Sequence, residues 1–238
     1  MNIRRHIPNA ITCLSLVCGC IATVMALEGR LLEAAVCIMA ASVFDFLDGL
    51  CARLLHAYSA IGKELDSLAD IISFGLAPGM IVFRLLREAS PALPLGSLNV
   101  YIPLLAFVIP VFSGLRLAKF NTDERQTTSF LGLPVPAHAL FWSSLGYALQ
   151  PLAAVRGLLF TCLLIPSLLF TSCLLVSEIP MFSLKTRSLG WKGNEIRYLL
   201  LVSSLLFILF FGFPGIAAAI LLYVLLSVVT LKKVNNHV

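Results

Sequence analysis

The stretch Leu31-Leu-Glu33-Ala-Ala-Val-Cys37-Ile-Met-Ala-Ala-Ser-Val-Phe-Asp45-Phe-Leu-Asp48-Gly49-Leu-Cys51-Ala52-Arg53-Leu-Leu55 decides the fold. It is long enough and apolar enough to cross a hydrocarbon core of ~30 Å, which takes about 20 residues of helix. Seven further runs have the same character: Ala10–Leu27, Leu65–Leu86, Val100–Lys119, Val135–Leu152, Leu158–Val176, Ile196–Phe211 and Ile216–Leu231. The chain as a whole is 59% hydrophobic and 12% charged, with a mean hydropathy of +0.97. A soluble domain averages roughly 45–50% apolar and about 25% charged, so a soluble globular protein is excluded. A disordered chain, poor in large apolar residues, is excluded too. The reading is an all-α, polytopic transmembrane bundle of about eight spans. It forms one integral membrane domain over residues 1–238, with the last two spans joined only by a tight Phe213-Pro214-Gly215 turn. The first span is too long for a cleavable signal core and no small-x-small site follows it, so it is expected to be a retained helix.

Basic residues set the expected orientation. With the N-terminus inside and eight spans, the C-terminus is inside as well. All but four of the 17 basic residues then fall on the inner side, the exceptions being Arg30, Arg84, Arg87 and Arg156. This bias favours N-in, C-in by the positive-inside rule. It also accounts for most of the net charge of +5. No nucleic-acid partner is expected, because no basic face lies on a soluble surface. The 7 cysteines all fall in apolar runs without a CxxC pair, which reads as packing rather than disulfides or zinc. Pro110 and Pro166 are expected to kink helices.

Of the 12 acidic residues, most lie in loops or at helix ends. Asp45, Asp48, Asp66 and Asp70 do not. The first pair is spaced i,i+3 and the second i,i+4, so each pair shares a helix face. The segment between them, with Tyr58-Ser59 and Gly62, lets the two helices fold back on each other near the inner surface. Four carboxylates at one depth in a low-dielectric site cannot all stay ionised without a positive partner. Arg53 and Lys63 are too few. All-oxygen ligation suits a hard divalent cation, Mg²⁺ or Mn²⁺, and two such ions would suit an in-line phosphoryl displacement. A proton relay or a polar helix contact is the bland alternative, and four aspartates on two helices weigh against it. A small residue at Gly49 lets a phosphate or nucleotide approach the backbone.

Asp45-x2-Asp48-Gly49-x2-Ala52-Arg53-x8-Gly62-x3-Asp66-x3-Asp70 resembles the signature of the CDP-alcohol phosphatidyltransferases, with no departure at a fixed position. The flanks are similar to the phosphatidylserine synthase branch of that family. They are Ile7-Pro8-Asn9-Ala-Ile-Thr12, Ser73-Phe74-Gly75-Leu-Ala77-Pro78, Arg116-Leu-Ala118-Lys119-Phe120-Asn121, Phe130-Leu-Gly132-Leu133-Pro134-Val-Pro136-Ala137 and Ser177-Glu-Ile-Pro-Met-Phe-Ser-Leu-Lys185. Lys119 departs from the arginine expected there. It keeps the charge but not the planar fork.

The resemblance implies a fold, a reaction and roles. The fold is a six-helix catalytic core over residues 1–195 with a C-terminal helix pair over 196–238, assembled as a homodimer. The reaction transfers phosphatidyl from CDP-diacylglycerol to L-serine, giving phosphatidylserine and CMP, at the cytoplasmic face of a bacterial-type membrane. An archaeal-type lipid stays open. Two divalent cations are held by Asp45, Asp48 and Asp66, with Asp70 as general base that also touches a metal. Asn9, Thr12, Gly49, Ala52, Arg53, Ser59 and Gly62 contact CDP-diacylglycerol. For Asn9 and Thr12 the competing reading is helix-start chemistry. Ser73, Pro78, Arg116, Lys119 and Asn121 are the serine-pocket residues, although basic residues at a span end also serve as topology anchors.

Two other readings compete. A sister enzyme using glycerol-3-phosphate or an inositol phosphate would need a denser basic cluster for the extra phosphate. A carboxylate-lined ion transporter would place its acids at the midplane, often within an inverted repeat. Here the acids lie near one face, and the sequence shows no repeat.

Overall fold

The computed structural model describes residues 6–122, 130–153, 155, 157–181, 190–191 and 194–235. The expected basic residues Arg4, Arg5, Arg125, Arg156, Lys185, Arg187 and Lys192 lie outside them. Helix α1 (His6–Leu27) and α2 (Leu31–Leu54) form an antiparallel hairpin. Its turn uses Gly29 at φ +81°, a conformation that favours glycine. The two helices meet through small residues. Ala22, Ala26, Ala34, Ala35 and Ala41 are all fully buried, and the Ser15 hydroxyl donates to the Ala41 carbonyl at 3.1 Å. Small side chains let backbones approach where apolar burial gives little drive, as in a membrane.

Helix α2 stops firmly. The Ala57 N–H reaches the Ala52 carbonyl at 2.9 Å and the His56 N–H reaches that of Arg53 at 3.3 Å. His56 takes φ 49° between them. This is a Schellman-type ending with histidine in the place glycine usually fills. Ser59 then caps α3 (Ala60–Asp70), its side chain accepting from the Gly62 N–H at 3.0 Å. A π-helical turn (Ile71–Leu76) follows Asp70 directly and leads into α4 (Ala77–Ala89). Such turns widen a helix and often mark functional sites.

A 3₁₀ segment (Gly96–Phe107) runs into α5 (Val108–Thr122). Pro110 therefore occupies the first turn of α5, not the middle of a helix as expected. Its missing N–H costs nothing there. Helices α6 (Val135–Ala153) and α7 (Gly157–Val176) follow, and Pro166 lies inside α7 as anticipated. A short antiparallel pair, β1 (Phe130–Leu131) with β2 (Pro180–Met181), ties the entry of α6 to the exit of α7. Gly132 at φ +73° makes the corner, and its N–H reaches the Ile179 carbonyl at 2.9 Å. Helices α8 (Glu195–Phe211) and α9 (Gly215–Asn235) complete the chain. The tight turn between them closes through the Gly215 N–H on the Gly212 carbonyl at 3.0 Å.

All eight predicted spans are helical. Among the described residues, five helical stretches are long and apolar enough to cross a membrane by themselves: His6–Leu27, Leu31–Leu54, Ala60–Ala92, Gly96–Thr122 and Gly157–Val176. The other three helices are shorter or more polar. Helix α6 contains His138, Ser143, Ser144 and Gln150, and three of these are buried in the bundle. There the Trp142 indole N–H lies 3.1 Å from both His138 Nε2 and Thr171 Oγ1. The core sits between α4, α6 and α7, around Trp142, Phe74, Ile81, Leu85 and Leu168. Helix α8 presents Leu205, Leu209 and Phe210 outward. That is a natural face toward lipid, and a costly one toward water.

Candidate active site

Two local features bring the aspartates together. The stop at Leu54 and the Ser59 cap reverse the chain within a few residues, so the end of α2 and the start of α3 both abut α1. Thr12 on α1 bridges the elements. Its hydroxyl donates to Asp48 Oδ2 at 2.6 Å while also contacting the Pro8 carbonyl at 3.1 Å. Carboxylate oxygens of Asp45, Asp48 and Asp66 lie within 4.8 Å of one another. Asp70 stands one turn further along α3, acted on electrostatically by the other three and by Arg116. None of the four aspartates makes an ion pair with a basic residue among the described residues. A half-buried acidic cluster with no ion-paired side chain among the described residues suits a divalent metal, which would offset its charge.

A cleft of about 260 Å³ opens beside this cluster. It brings together Asn9, Thr12, Gly49, Ala52, Arg53, Ser59 and Gly62 with Asp48 and Asp66. All seven residues predicted to contact the nucleotide lipid therefore meet in one place. Asn9 and Thr12 lie within α1 rather than at its cap, so helix-start chemistry does not explain them. Ser59 does cap α3, and it faces the cleft as well. The two glycines differ in kind. A Cβ at Gly62 would come within 2.9 Å of Asn9 Oδ1 and of Ser59 Oγ, so Gly62 serves the packing of α3 on α1. Among the described residues, a Cβ at Gly49 would meet nothing within 4 Å. Its lack of a side chain leaves room in the cleft, not between helices. Tyr58, 69% exposed, and Lys63 also line the cleft. Their sequence positions carry no motif, which is why Tyr58 escaped the sequence reading.

The predicted serine-pocket residues do not gather in the same way. Arg116 is buried on α5, with its charge acting on Asp70 and on Tyr223 of α9. Its Nε has no hydrogen-bond partner among the described residues, and the guanidinium lies 5.8 Å from the Phe120 ring centroid. Lys119 pairs with Glu178 at 3.4 Å. Asn121 donates to Ser67 Oγ at 2.9 Å, tying α5 to α3. Ser73 and Pro78 depart from the expectation. Ser73 is fully buried and donates to the Ser15 carbonyl at 2.9 Å, and Pro78 is packed inside the first turn of α4. Both belong to helix packing. Ser113 was not foreseen. It lies three residues before Arg116 on the same face of α5, is fully buried, and its hydroxyl has no partner among the described residues. A buried orphan hydroxyl beside a buried arginine marks polar space that a ligand could satisfy.

The CDP-alcohol phosphatidyltransferase family profile matches residues 5–173. A CDP-diacylglycerol–serine O-phosphatidyltransferase of Bacillus subtilis is 32% identical over 152 residues, covering 64% of this chain and 81% of that protein. The enzyme of the same name from Mycobacterium leprae is 35% identical over 193 residues, covering 76% of this chain and 60% of the relative. An archaetidylserine synthase of Methanothermobacter thermautotrophicus is 31% identical over 143 residues, covering 58% of this chain and 56% of the relative.

Proposed function

Because the chain belongs to the CDP-alcohol phosphatidyltransferase family, we infer that it transfers phosphatidyl from CDP-diacylglycerol to L-serine, releasing CMP. The observation that carries the reaction is the cleft that joins all seven nucleotide positions to the acidic cluster. The choice of serine rests on the names of the matched relatives, two of which are serine phosphatidyltransferases and one an archaetidylserine synthase.

In this reading Asp45, Asp48 and Asp66, with Asp70 beside them, hold two divalent cations, Mg²⁺ or Mn²⁺. When bound, these ions offset the negative charge of the diphosphate. The chain's own residues do the rest. Arg53 pairs with diphosphate oxygens bidentately. Gly49 and Ala52 leave the α2 backbone open to the nucleotide, and Asn9 and Ser59 supply polar contacts at the rim. Thr12 fixes the orientation of Asp48 by its hydrogen bond. Arg116 holds the serine carboxylate near Asp70. Asp70 accepts the proton of the serine hydroxyl as that oxygen bonds to the lipid-side phosphorus and the bond to the CMP oxygen breaks. Lys119 and Asn121 act one step out, closing α5 onto the Glu178 segment and α3.

The protein is an integral membrane protein, read as N-in and C-in in a bacterial-type cell membrane with the cleft at the cytoplasmic face. There a membrane-anchored donor and a water-soluble acceptor can meet. The homodimer follows from the family resemblance.

A sister reaction with glycerol-3-phosphate or an inositol phosphate is the second reading. It is disfavoured because the second phosphate would look for cations beyond Arg116, and Lys119 is already paired with Glu178. The test offers the purified chain CDP-diacylglycerol with labelled serine, glycerol-3-phosphate or inositol phosphate in parallel. A labelled lipid from serine alone is expected. Turnover only with a phosphorylated acceptor would move the chain to a sister reaction.

A further inference from the structure

Helix α4 carries the chain away from the acidic cluster. Arg87 lies 17 residues beyond Asp70 along one continuous helical stretch, which at 1.5 Å per residue is about 25 Å. That length brings it to the opposite membrane interface. A second cavity, of about 500 Å³, opens there between the end of α4 and the 3₁₀ segment. Its polar side chains are Arg87, Ser90 and Asn99, and Phe83, Val100 and Pro103 give it an apolar wall.

Three observations give this cavity a chemistry. The first is an unbalanced cation. At this end of the bundle, Arg30 pairs with Glu28 and Glu33, and Arg84 pairs with Glu88 at 2.6 Å. Among the described residues Arg87 has no acidic partner. The second is an oriented amide. Asn99 Nδ2 donates to the Leu93 carbonyl at 2.9 Å. A carbonyl only accepts, so this bond fixes which end of the amide is which. Asn99 lines the cavity, and its Oδ1 is a buried acceptor with no partner among the described residues. An acceptor in that state is costly unless a donor reaches it. The third is the wall. Val100 is 75% exposed, in a helical stretch long and apolar enough to cross a membrane.

We propose that this cavity binds the headgroup of a phospholipid from the leaflet opposite the active site. Arg87 takes the phosphate, Asn99 Oδ1 accepts from an N–H or O–H of the headgroup, and the Phe83–Val100–Pro103 wall holds the start of an acyl chain. The site lies apart from the catalytic cleft and does not depend on the reaction assigned to it. The two polar contacts also set a preference. Ethanolamine and glycerol headgroups carry a hydrogen-bond donor, and choline carries none.

The experiment measures lipid retained by the full-length protein in detergent, by native mass spectrometry. Equal amounts of phosphatidylethanolamine and of phosphatidylcholine with the same acyl chains are added. The ethanolamine lipid is expected to be retained about fivefold better, the ratio one hydrogen bond supports. Arg87→Gln lowers retention of both lipids. Asn99→Ala removes the preference and keeps the weaker choline-lipid retention. Arg30→Gln, on the same side but with its charge already paired, leaves both unchanged and serves as the folding control. Equal retention of the two lipids by the wild type, or unchanged retention in Arg87→Gln, overturns the proposal. So does displacement of the lipid by millimolar inorganic phosphate, which would make the cavity a site for the free anion.

Discussion

At the scale of single residues, Thr12, Asp70 and Arg116 separate the reading from its rivals. Thr12 donates to Asp48 at 2.6 Å, the kind of outer contact that orients a metal-binding carboxylate. Thr12→Val should raise the Mg²⁺ or Mn²⁺ concentration for half-maximal activity about 10–100-fold, read from metal titrations of turnover. An unchanged titration would make Thr12 a packing residue. Asp70→Asn should abolish turnover while CDP-diacylglycerol binding survives, measured by equilibrium binding of the labelled lipid. Near-normal turnover would remove Asp70 from the role of base. Arg116→Lys keeps the charge but loses the fork. It should raise the serine KM about tenfold or more, with a smaller change in kcat, if Arg116 holds the serine carboxylate. Equal loss with every acceptor would assign Arg116 to the architecture of α5.

At the scale of elements, the glycines report which contacts are structural and which are reserved for ligand. A Cβ at Gly19 would collide with Ser73, its backbone included, and the π-helical turn cannot retreat without moving Asp70. Gly19→Ala should therefore destabilise the protein by about 1–3 kcal/mol, seen as a lower thermal midpoint in detergent. Gly49→Ala should do the reverse. With nothing within 4 Å and alanine the better helix former by about 1 kcal/mol, the midpoint should hold or rise. The KM for the nucleotide lipid should rise in the same variant. The contrast shows what the sequence discloses. The Asp spacing and the Gly49–Ala52–Arg53 run foretold the cleft because metal and phosphate chemistry fixes residue type and interval. The positions proposed for a serine pocket were less legible. Ser73 and Pro78 lie in a motif-bearing segment, but that segment is needed for α1–α4 packing, and motif matching cannot separate packing from contact. Ser113 could have been found only by asking what shares a face with Arg116. Pro110 lies mid-way along the apolar Val100–Lys119 run yet in the first turn of α5, because a 3₁₀ entry has the same apolar composition as an α-helix.

At the scale of the whole molecule, composition was enough to predict a helical membrane bundle, and all eight predicted spans are helices. It did not distinguish helices that could cross a membrane alone from α6, whose Trp142 and Gln150 find polar partners inside the bundle. The order of the architecture follows a division of labour. One end of the bundle carries the acidic cluster and its cleft, and the other carries paired surface charges and Arg87. The central claim is a metal-dependent exchange of CMP for serine on a lipid phosphate. The most direct measurement follows CMP and labelled serine lipid in one reaction of the purified chain with CDP-diacylglycerol, before and after chelation of divalent ions. CMP and serine lipid are expected in equal amounts, both stopped by chelation and both restored by Mg²⁺ or Mn²⁺. CMP release without serine lipid, or serine lipid formed at an undiminished rate after chelation, would contradict it.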